Sequence, residues 1–273
     1  MEKVVLRKRN EVEFLKSTKI IVISIKGGQG KTMVATNIAY ALSEFGNVAI
    51  CDLDIDSPHV PAFFREEIAK VSLDKTGLKF NPVIIKGVKH EIRANSMSFL
   101  IDMEGKSFMQ NGVQHRVIIK DMIFKTNWGA NSFMILDTPA GSGDEIDVAL
   151  KCLNPIDGAV IVGQPNLPES IMRCIDLCSF KRVHIVGCVV NMYGARMHGE
   201  TVKCKHCNKD FMPLPDLGAI EACTDNGIKM LGTIPMDPSY VDSPIDLNLE
   251  AVRNARDAIR AIRRDALGNT DKA

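Results

Sequence analysis

Lys26-Gly27-Gly28-Gln29-Gly30-Lys31-Thr32 follows a short apolar run and leads into Met33-Val34-Ala35-Thr36-Asn37-Ile38-Ala39, a segment of helical character. Glycines let successive backbone N–H groups turn inward around phosphate oxygens, and a helix that starts there adds its positive end. In such a loop Lys31 reaches the β- and γ-phosphates of ATP and the Thr32 hydroxyl ligates Mg²⁺, while Gly27, Gly28, Gln29, Gly30 and Met33 complete the cradle. The bland alternative, a glycine-rich turn without a ligand, does not account for the lysine and threonine at the head of the helix.

Two groups of carboxylates fit the same chemistry. Cys51-Asp52-Leu53-Asp54-Ile55-Asp56 closes one apolar run, and strand alternation puts its three aspartates on one side until the strand gives way to loop. Phosphoryl transfer needs mostly positioning and charge stabilisation, so Asp54 is expected to orient an attacking water and Asp52 to support the metal shell. A second run, Phe133-Met134-Ile135-Leu136, ends at Asp137-Thr138-Pro139-Ala140-Gly141, which places Asp137 to hold Mg²⁺ through water.

A third constellation is Cys204-Lys205-His206-Cys207, in a lysine- and proline-rich loop spanning about residues 192–215. Two thiols separated by two residues suit a chelating turn, and Lys203, Lys205 and Lys209 favour thiolates. One such pair supplies two ligands, whereas a cubane cluster takes four, so two chains related by a twofold axis would complete it. On the residues alone zinc is slightly favoured, bridging two chains or held within one with His198, His206 or Cys223.

The elements that must carry these residues follow from the apolar periodicity. Strands are expected over 20–25, 48–53, 133–136, 159–162, 183–190 and 230–234, with helices over 32–45, 114–126, 145–153, 168–180, 217–226 and 249–266. Residues 80–86 and 89–94 read as a hairpin around Gly87. The alternation predicts an α/β fold: a mostly parallel twisted sheet with helices on both faces, in one domain spanning 1–273. Functional loops then lie at the carboxyl ends of the strands.

Composition gives other classes no support. The chain of 273 residues has 34 basic and 33 acidic side chains, a net charge of +1 that provides no overall field for a nucleic-acid backbone. The basic runs Arg7-Lys8-Arg9 and Arg253, Arg256, Arg260, Arg263 and Arg264 are expected to be solvated faces. No apolar run approaches a membrane span, and no secretory leader is recognisable, so a cytoplasmic protein is expected. In that compartment its eight cysteines are thiols rather than disulfides. Cys51, Cys152, Cys174, Cys178 and Cys188, all in apolar-periodic segments, are expected to fill the core.

The motifs resemble those of one group. The extra lysine Lys26 before the phosphate loop resembles the deviant Walker A motif of the MinD, ParA, nitrogenase-iron-protein and Mrp/ApbC P-loop NTPases, although Ile25 stands where most members carry glycine. Asp52-Leu53-Asp54-Ile55-Asp56-Ser57-Pro58-His59-Val60-Pro61, Ser96-Met97-Ser98-Phe99-Leu100, Asn127-Trp128-Gly129, Asp137-Thr138-Pro139-Ala140-Gly141-Ser142-Gly143-Asp144, Val190-Asn191-Met192 with Cys204 and Cys207, and Leu231-Gly232-Thr233-Ile234-Pro235 together resemble the Mrp/ApbC iron-sulfur cluster carriers. That resemblance implies an ATPase that dimerises and holds a labile 4Fe-4S cluster on Cys204 and Cys207 for delivery to apo-proteins. It also implies that Lys26 reaches across the homodimer to the partner's nucleotide and that Asn191 reads the adenine, with Asp237 close by. Two departures stand out: Tyr240-Val241-Asp242-Ser243-Pro244 replaces an Asp-x-Gly element, and the stretch from Tyr193 to Val202 is longer than the usual spacer before the cysteines. A MinD- or ParA-like positioning ATPase remains the alternative, and the thin apolar stripe Val252, Ile259 and Ile262 of the last helix argues for packing rather than lipid insertion.

Overall fold

The computed structural model describes residues 16–64, 80–98, 112–141 and 143–268. The Arg7-Lys8-Arg9 cluster, Phe99-Leu100 and Ser142 lie outside the described residues.

The chain's apolar runs become the strands of a mostly parallel sheet. In chain order these are β1 (Thr18–Ile23), β2 (Val48–Asp52), β3 (Val83–Lys86), β4 (Glu91–Asn95), β5 (Phe133–Asp137), β6 (Gly158–Gly163), β7 (Ile185–Met197), β8 (Glu200–Thr201) and β9 (Met230–Met236). They lie in the order β3-β4-β2-β5-β1-β6-β7-β8, with β9 also paired to β7. β1, β2, β5 and β6 are buried at every position, which is why they read as continuous apolar runs rather than alternating ones. The β3–β4 hairpin is antiparallel and shows the opposite pattern, with Val83 and Ile85 buried and Ile84 and Lys86 exposed.

Eight helices among the described residues cover the sheet: α1 (Lys31–Leu42), α2 (Val60–Phe64), α3 (Gly112–Phe124), α4 (Asp144–Cys152), α5 (Pro168–Lys181), α6 (Ala219–Thr224), α7 (Ser239–Asp242) and α8 (Glu250–Gly268). They divide the core into two layers. α1 and α8 pack on one face through Val34, Ile38, Leu42, Val252, Ala255 and Ile259. α3 to α6 cover the other face with Ile119, Met122, Ile146, Ile171, Cys174 and Cys223. The apolar stripe of α8 is thus used against α1 and β9, as its spacing predicted.

Three expectations change. Arg256, Arg260 and Arg263 are not simply solvated: Arg260 and Arg256 lie over the Phe45 ring, at 3.4 and 5.6 Å, and Arg263 over Phe133 at 5.3 Å. A guanidinium is weakly hydrated and stacks on aromatic faces, so these side chains clamp α8 to the body. Among the presumed core cysteines Cys152 is only half-buried, while Cys223, considered as a zinc partner, is fully buried in the core. The stretch from Tyr193 to Val202 is not a loose spacer. β7 runs on to Met197, turns through His198-Gly199 at φ 52° and 84°, and returns as β8. Consecutive positive φ values in a two-residue turn match the right-handed twist of a hairpin.

Candidate nucleotide and cysteine sites

β1 gives way to the loop at Ser24, and the loop ends at Gly30, the residue before α1. Gly28 and Gly30 have φ of 73° and 87°, values that side chains with a Cβ rarely adopt. Ile25 has no such requirement: it does not fall in the left-handed region, and its side chain packs on the core beneath α5. Glycine is therefore dispensable at that position.

Gln29 holds the loop shut. Its side-chain oxygen accepts hydrogen bonds from the Lys26 backbone N–H at 3.2 Å and from the Ser170 hydroxyl at 2.9 Å. Its backbone carbonyl accepts from the Asn191 amide at 2.9 Å. Gln164 donates to the Gly28 carbonyl at 3.2 Å. A Cβ on Gly30 would collide with the Asn191 amide nitrogen, so that glycine also makes room for Asn191.

Lys31 is buried and donates to the Ser24 hydroxyl at 3.1 Å. Burial lowers its pKa, opposed by the nearby Asp137 and Asp54 charges. Lys26, half-exposed at the mouth, lies 3.5 Å from Glu169 in the first turn of α5. A cavity of about 520 Å³ opens here, lined by Gly27, Gly30, Lys31, Thr32, Asp54 and His59 among others.

The aspartates differ sharply. Asp52 and Asp137 are in register at the ends of neighbouring β2 and β5, both fully buried. Burial pushes Asp52 up to about 7, against hydrogen bonds from the Ser96 hydroxyl at 2.7 Å and the Val60 and Asp54 backbone N–H groups at 3.2 Å each. Those contacts make it the anchor of the loop that carries Asp54. Asp137 is raised well above the usual carboxylate range by burial and then by Asp52. Neither of its oxygens has a hydrogen-bond partner of good geometry among the described residues, although the nearby Thr32 hydroxyl eases its charge in part. Two buried carboxylate oxygens without donors, beside a threonine hydroxyl, fit a hydrated Mg²⁺. Asp54 faces the cavity, half-buried, with one oxygen held by the Ser57 N–H at 3.0 Å. Burial raises its pKa, opposed by that bond and by Lys31.

Asp237 is committed elsewhere. Its carboxylate takes the Arg196 Nε at 2.6 Å and the Ser239 N–H at 2.9 Å. Burial pushes its pKa up, but the Ser239 and Arg196 contacts outweigh that and hold it low. Trp128, part of the resemblance, is structural: it is buried and its indole N–H donates to the Ile123 carbonyl at 2.8 Å.

The cysteine turn stands beyond the β7–β8 hairpin. Lys203 pairs with Asp210, the Cys204 N–H donates to the Lys209 carbonyl at 2.8 Å, and the Asn208 N–H donates to the Cys204 carbonyl at 2.9 Å. Asn208 takes φ 56°, closing the knuckle. The Cys204 thiol is drawn below its ordinary range by the Cys207 and then the His206 backbone N–H, with the Cys207 thiol adding to this. The backbone of the turn thus favours the Cys204 thiolate. No group of three or more His, Cys, Asp or Glu side chains able to hold a metal occurs among the described residues.

Sequence reasoning missed Gln29 and Ser170 as a lock, Glu169 as the partner of Lys26, and Arg196. These contacts join residues 41 to 143 positions apart, and only the fold brings them together.

A family model described as NUBPL iron-transfer P-loop NTPase matches residues 16–263. The chain is 31% identical over 231 residues to the cytosolic Fe-S cluster assembly factor CFD1 of Eremothecium gossypii, covering 82% of this chain and 79% of that protein. It is 28% identical over 222 residues to an iron-sulfur cluster carrier protein of Methanocaldococcus jannaschii, covering 80% and 72%. Among solved structures, the nucleotide-binding protein of Archaeoglobus fulgidus in complex with ADP has a similar fold, with a TM-score of 0.63 at 21% identity, over 93% of this chain and 91% of that one.

Proposed function

The chain belongs to the family of NUBPL iron-transfer P-loop NTPases, and we propose that it is an ATPase that carries a 4Fe-4S cluster to apo-proteins, bridged between two copies of itself. The observation that carries this reading is the pairing, in one chain, of a closed phosphate loop with a Cys204–Cys207 turn that offers two thiol ligands and favours the Cys204 thiolate.

Backbone N–H groups of the loop and Lys31 hold the ATP phosphates, with Thr32 and Asp137 holding a hydrated Mg²⁺. That ion, when bound, offsets charge on the β- and γ-phosphate oxygens. Asp54 orients a water toward the γ-phosphorus; the water oxygen bonds to phosphorus, the bridging oxygen leaves with ADP, and the proton passes to the phosphate released. Asp52 positions Asp54 through its backbone N–H. Lys26 leaves Glu169 to reach the nucleotide of the partner subunit. Asn191, already against the loop, faces the base, and Asp237 stays close by with its carboxylate held by Arg196 and the Ser239 N–H.

Cys204 and Cys207 supply two thiolates, and the same pair on the second copy supplies the other two. No described helix is long and apolar enough to cross a membrane, in keeping with a cytoplasmic carrier. The relatives named as cytosolic assembly factors support the same setting. Anaerobic isolation followed by visible absorption and iron and sulfide analysis tests the reading. About two irons per chain in a dimer is expected. Zinc in that position, with no iron taken up on reconstitution, would sink it.

A further inference from the structure

Arg196 sits at the root of the cysteine hairpin, where its backbone pairs with Thr201 of β8 and its neighbour Ala195 accepts from the Val202 N–H at 2.9 Å. Its side chain points the other way, into the body. The Nε donates to Asp237 at 2.6 Å, and one terminal nitrogen donates to Asp246 and to the Tyr240 hydroxyl at 3.0 Å each. The guanidinium also lies over the Tyr240 ring at 5.6 Å.

The far side of this cluster is the phosphate-binding helix. Asn37, fully buried on α1, accepts the Asp246 backbone N–H at 2.7 Å and donates to the Pro244 carbonyl at 2.8 Å. α1 is the helix that begins with Lys31 and Thr32. A second route runs along β7 itself, because Asn191 on that strand holds the Gln29 carbonyl in the phosphate loop. Between Asn191 and Ala195 the pairing of β7 with β9 slips, with Met192 and Gly194 at φ 60° and 83°. The outer part of β7 is therefore not held in the sheet by an unbroken ladder. Beyond the slip it is tied to the body by the Ala195–Met236 pair and by the side chain of Arg196.

We propose that Arg196 is a positioning residue through which occupancy of the nucleotide site sets the Cys204–Cys207 hairpin. Phosphate arriving at Lys31 and Gln29 loads both α1 and Asn191, and the two-carboxylate grip of Arg196 transmits their displacement to the hairpin root. Substituting the guanidinium leaves Asp237 and Asp246 beside one another without a cation, which uncouples the hairpin from α1. The functional consequence, nucleotide control of cluster retention, rests on the carrier reading above; the coupling itself does not.

The test therefore reads the thiols directly. Metal-free full-length protein is alkylated with iodoacetamide, with and without saturating Mg²⁺ and a non-hydrolysable ATP analogue, and the peptide holding Cys204 and Cys207 is followed by mass spectrometry. In the wild type, nucleotide is expected to change the rate by about fivefold, at the lower end of ordinary coupling. Arg196→Gln and, as a second variant that keeps the guanidinium, Asp246→Asn should still bind the analogue but respond less than about twofold. A wild type indifferent to nucleotide, or variants that keep its full response, overturns the inference. Parallel iron and sulfide loading separates the two readings: a nucleotide-dependent hairpin that takes up no cluster sinks the carrier function and leaves the coupling standing.

Discussion

Asp52 and Asp137 face each other in direct register at the carboxyl ends of β2 and β5, two fully buried carboxylates at the floor of the phosphate site. Burial raises both, Asp52 to about 7. The fold thus favours their protonated forms; for Asp52 that stabilisation is complete below the unfolded value of about 3.9 and is lost as pH rises through about 7, and for Asp137 it is lost only well above the ordinary carboxylate range. The nucleotide-free protein should melt lower at pH 8 than at pH 5.5, by roughly 2–4 °C for each kcal/mol lost. Asp137→Asn should flatten that slope in thermal melts, and Mg²⁺ with nucleotide should restore the wild-type loss at pH 8. An unchanged slope in the variant would assign the pH dependence to other groups.

Lys31→Ala should weaken nucleotide binding severely while the fold survives. The side chain is buried against Ser24 and carries the cation nearest the phosphates, and a charge-assisted contact of this kind is worth about 1.5–3 kcal/mol, or roughly tenfold to a hundredfold in affinity. Titration calorimetry with ATP checks this. An affinity equal to that of the wild type would contradict the phosphate-loop assignment.

Lys26→Ala should behave differently, leaving binding largely intact and lowering hydrolysis by at least about tenfold, since the proposed contact stabilises charge across the dimer. Within one chain Lys26 meets Glu169, so its loss removes only a half-exposed ion pair of little worth to stability. Mixing Lys26→Ala with Asp54→Asn should recover part of the turnover if the lysine acts in trans. A mixture no more active than its two parents argues against that role.

Cys204→Ser or Cys207→Ser should abolish stable cluster loading and any cluster-dependent dimer, because each change removes two of four ligands from a symmetric site and a hydroxyl is a harder, less acidic donor. ATP binding should persist. Cys178→Ala should leave iron uptake unchanged, since that thiol is buried and pushed up to about 12 by burial. The measurement is iron and sulfide per chain after anaerobic reconstitution, together with mass in solution. A Cys204→Ser protein that still carries about two irons per chain would place the cluster elsewhere.

The phosphate loop was legible because its chemistry is local: seven consecutive residues hold the lysines, the glycines and the threonine, and the flanking strand and helix announce themselves by period. The strand-end aspartates were legible as a set for the same reason. Their individual roles were not, since the bonds that turn Asp52 into an anchor come from Ser96 and Val60, and the exposure of Asp54 depends on a loop. The hairpin before Cys204 was missed although Met197-His198-Gly199-Glu200 carries a turn signal, because the long excursion of β7 beyond the sheet has no apolar pattern to mark it. The arginines of α8 looked like a solvated face. Phe45, on which two of them stack, lies more than 200 positions earlier in the chain, and no reading of local charge finds it.

The knuckle at Cys204 has a practical side. The N–H groups that favour thiolate there do so whether or not a cluster is present, and they leave Cys207 exposed beside three lysines, whereas Cys51, Cys174, Cys178, Cys188 and Cys223 are sealed in the core. Dioxygen therefore meets one reactive pair. Handled in air, the protein should lose its two thiols to a disulfide, within the turn or between two chains, with the electrons passing to oxygen. A covalent dimer or a colourless, iron-refusing monomer would then be the record of how the protein was isolated, and a thiol reductant that restores both monomer mass and iron uptake would identify it as such.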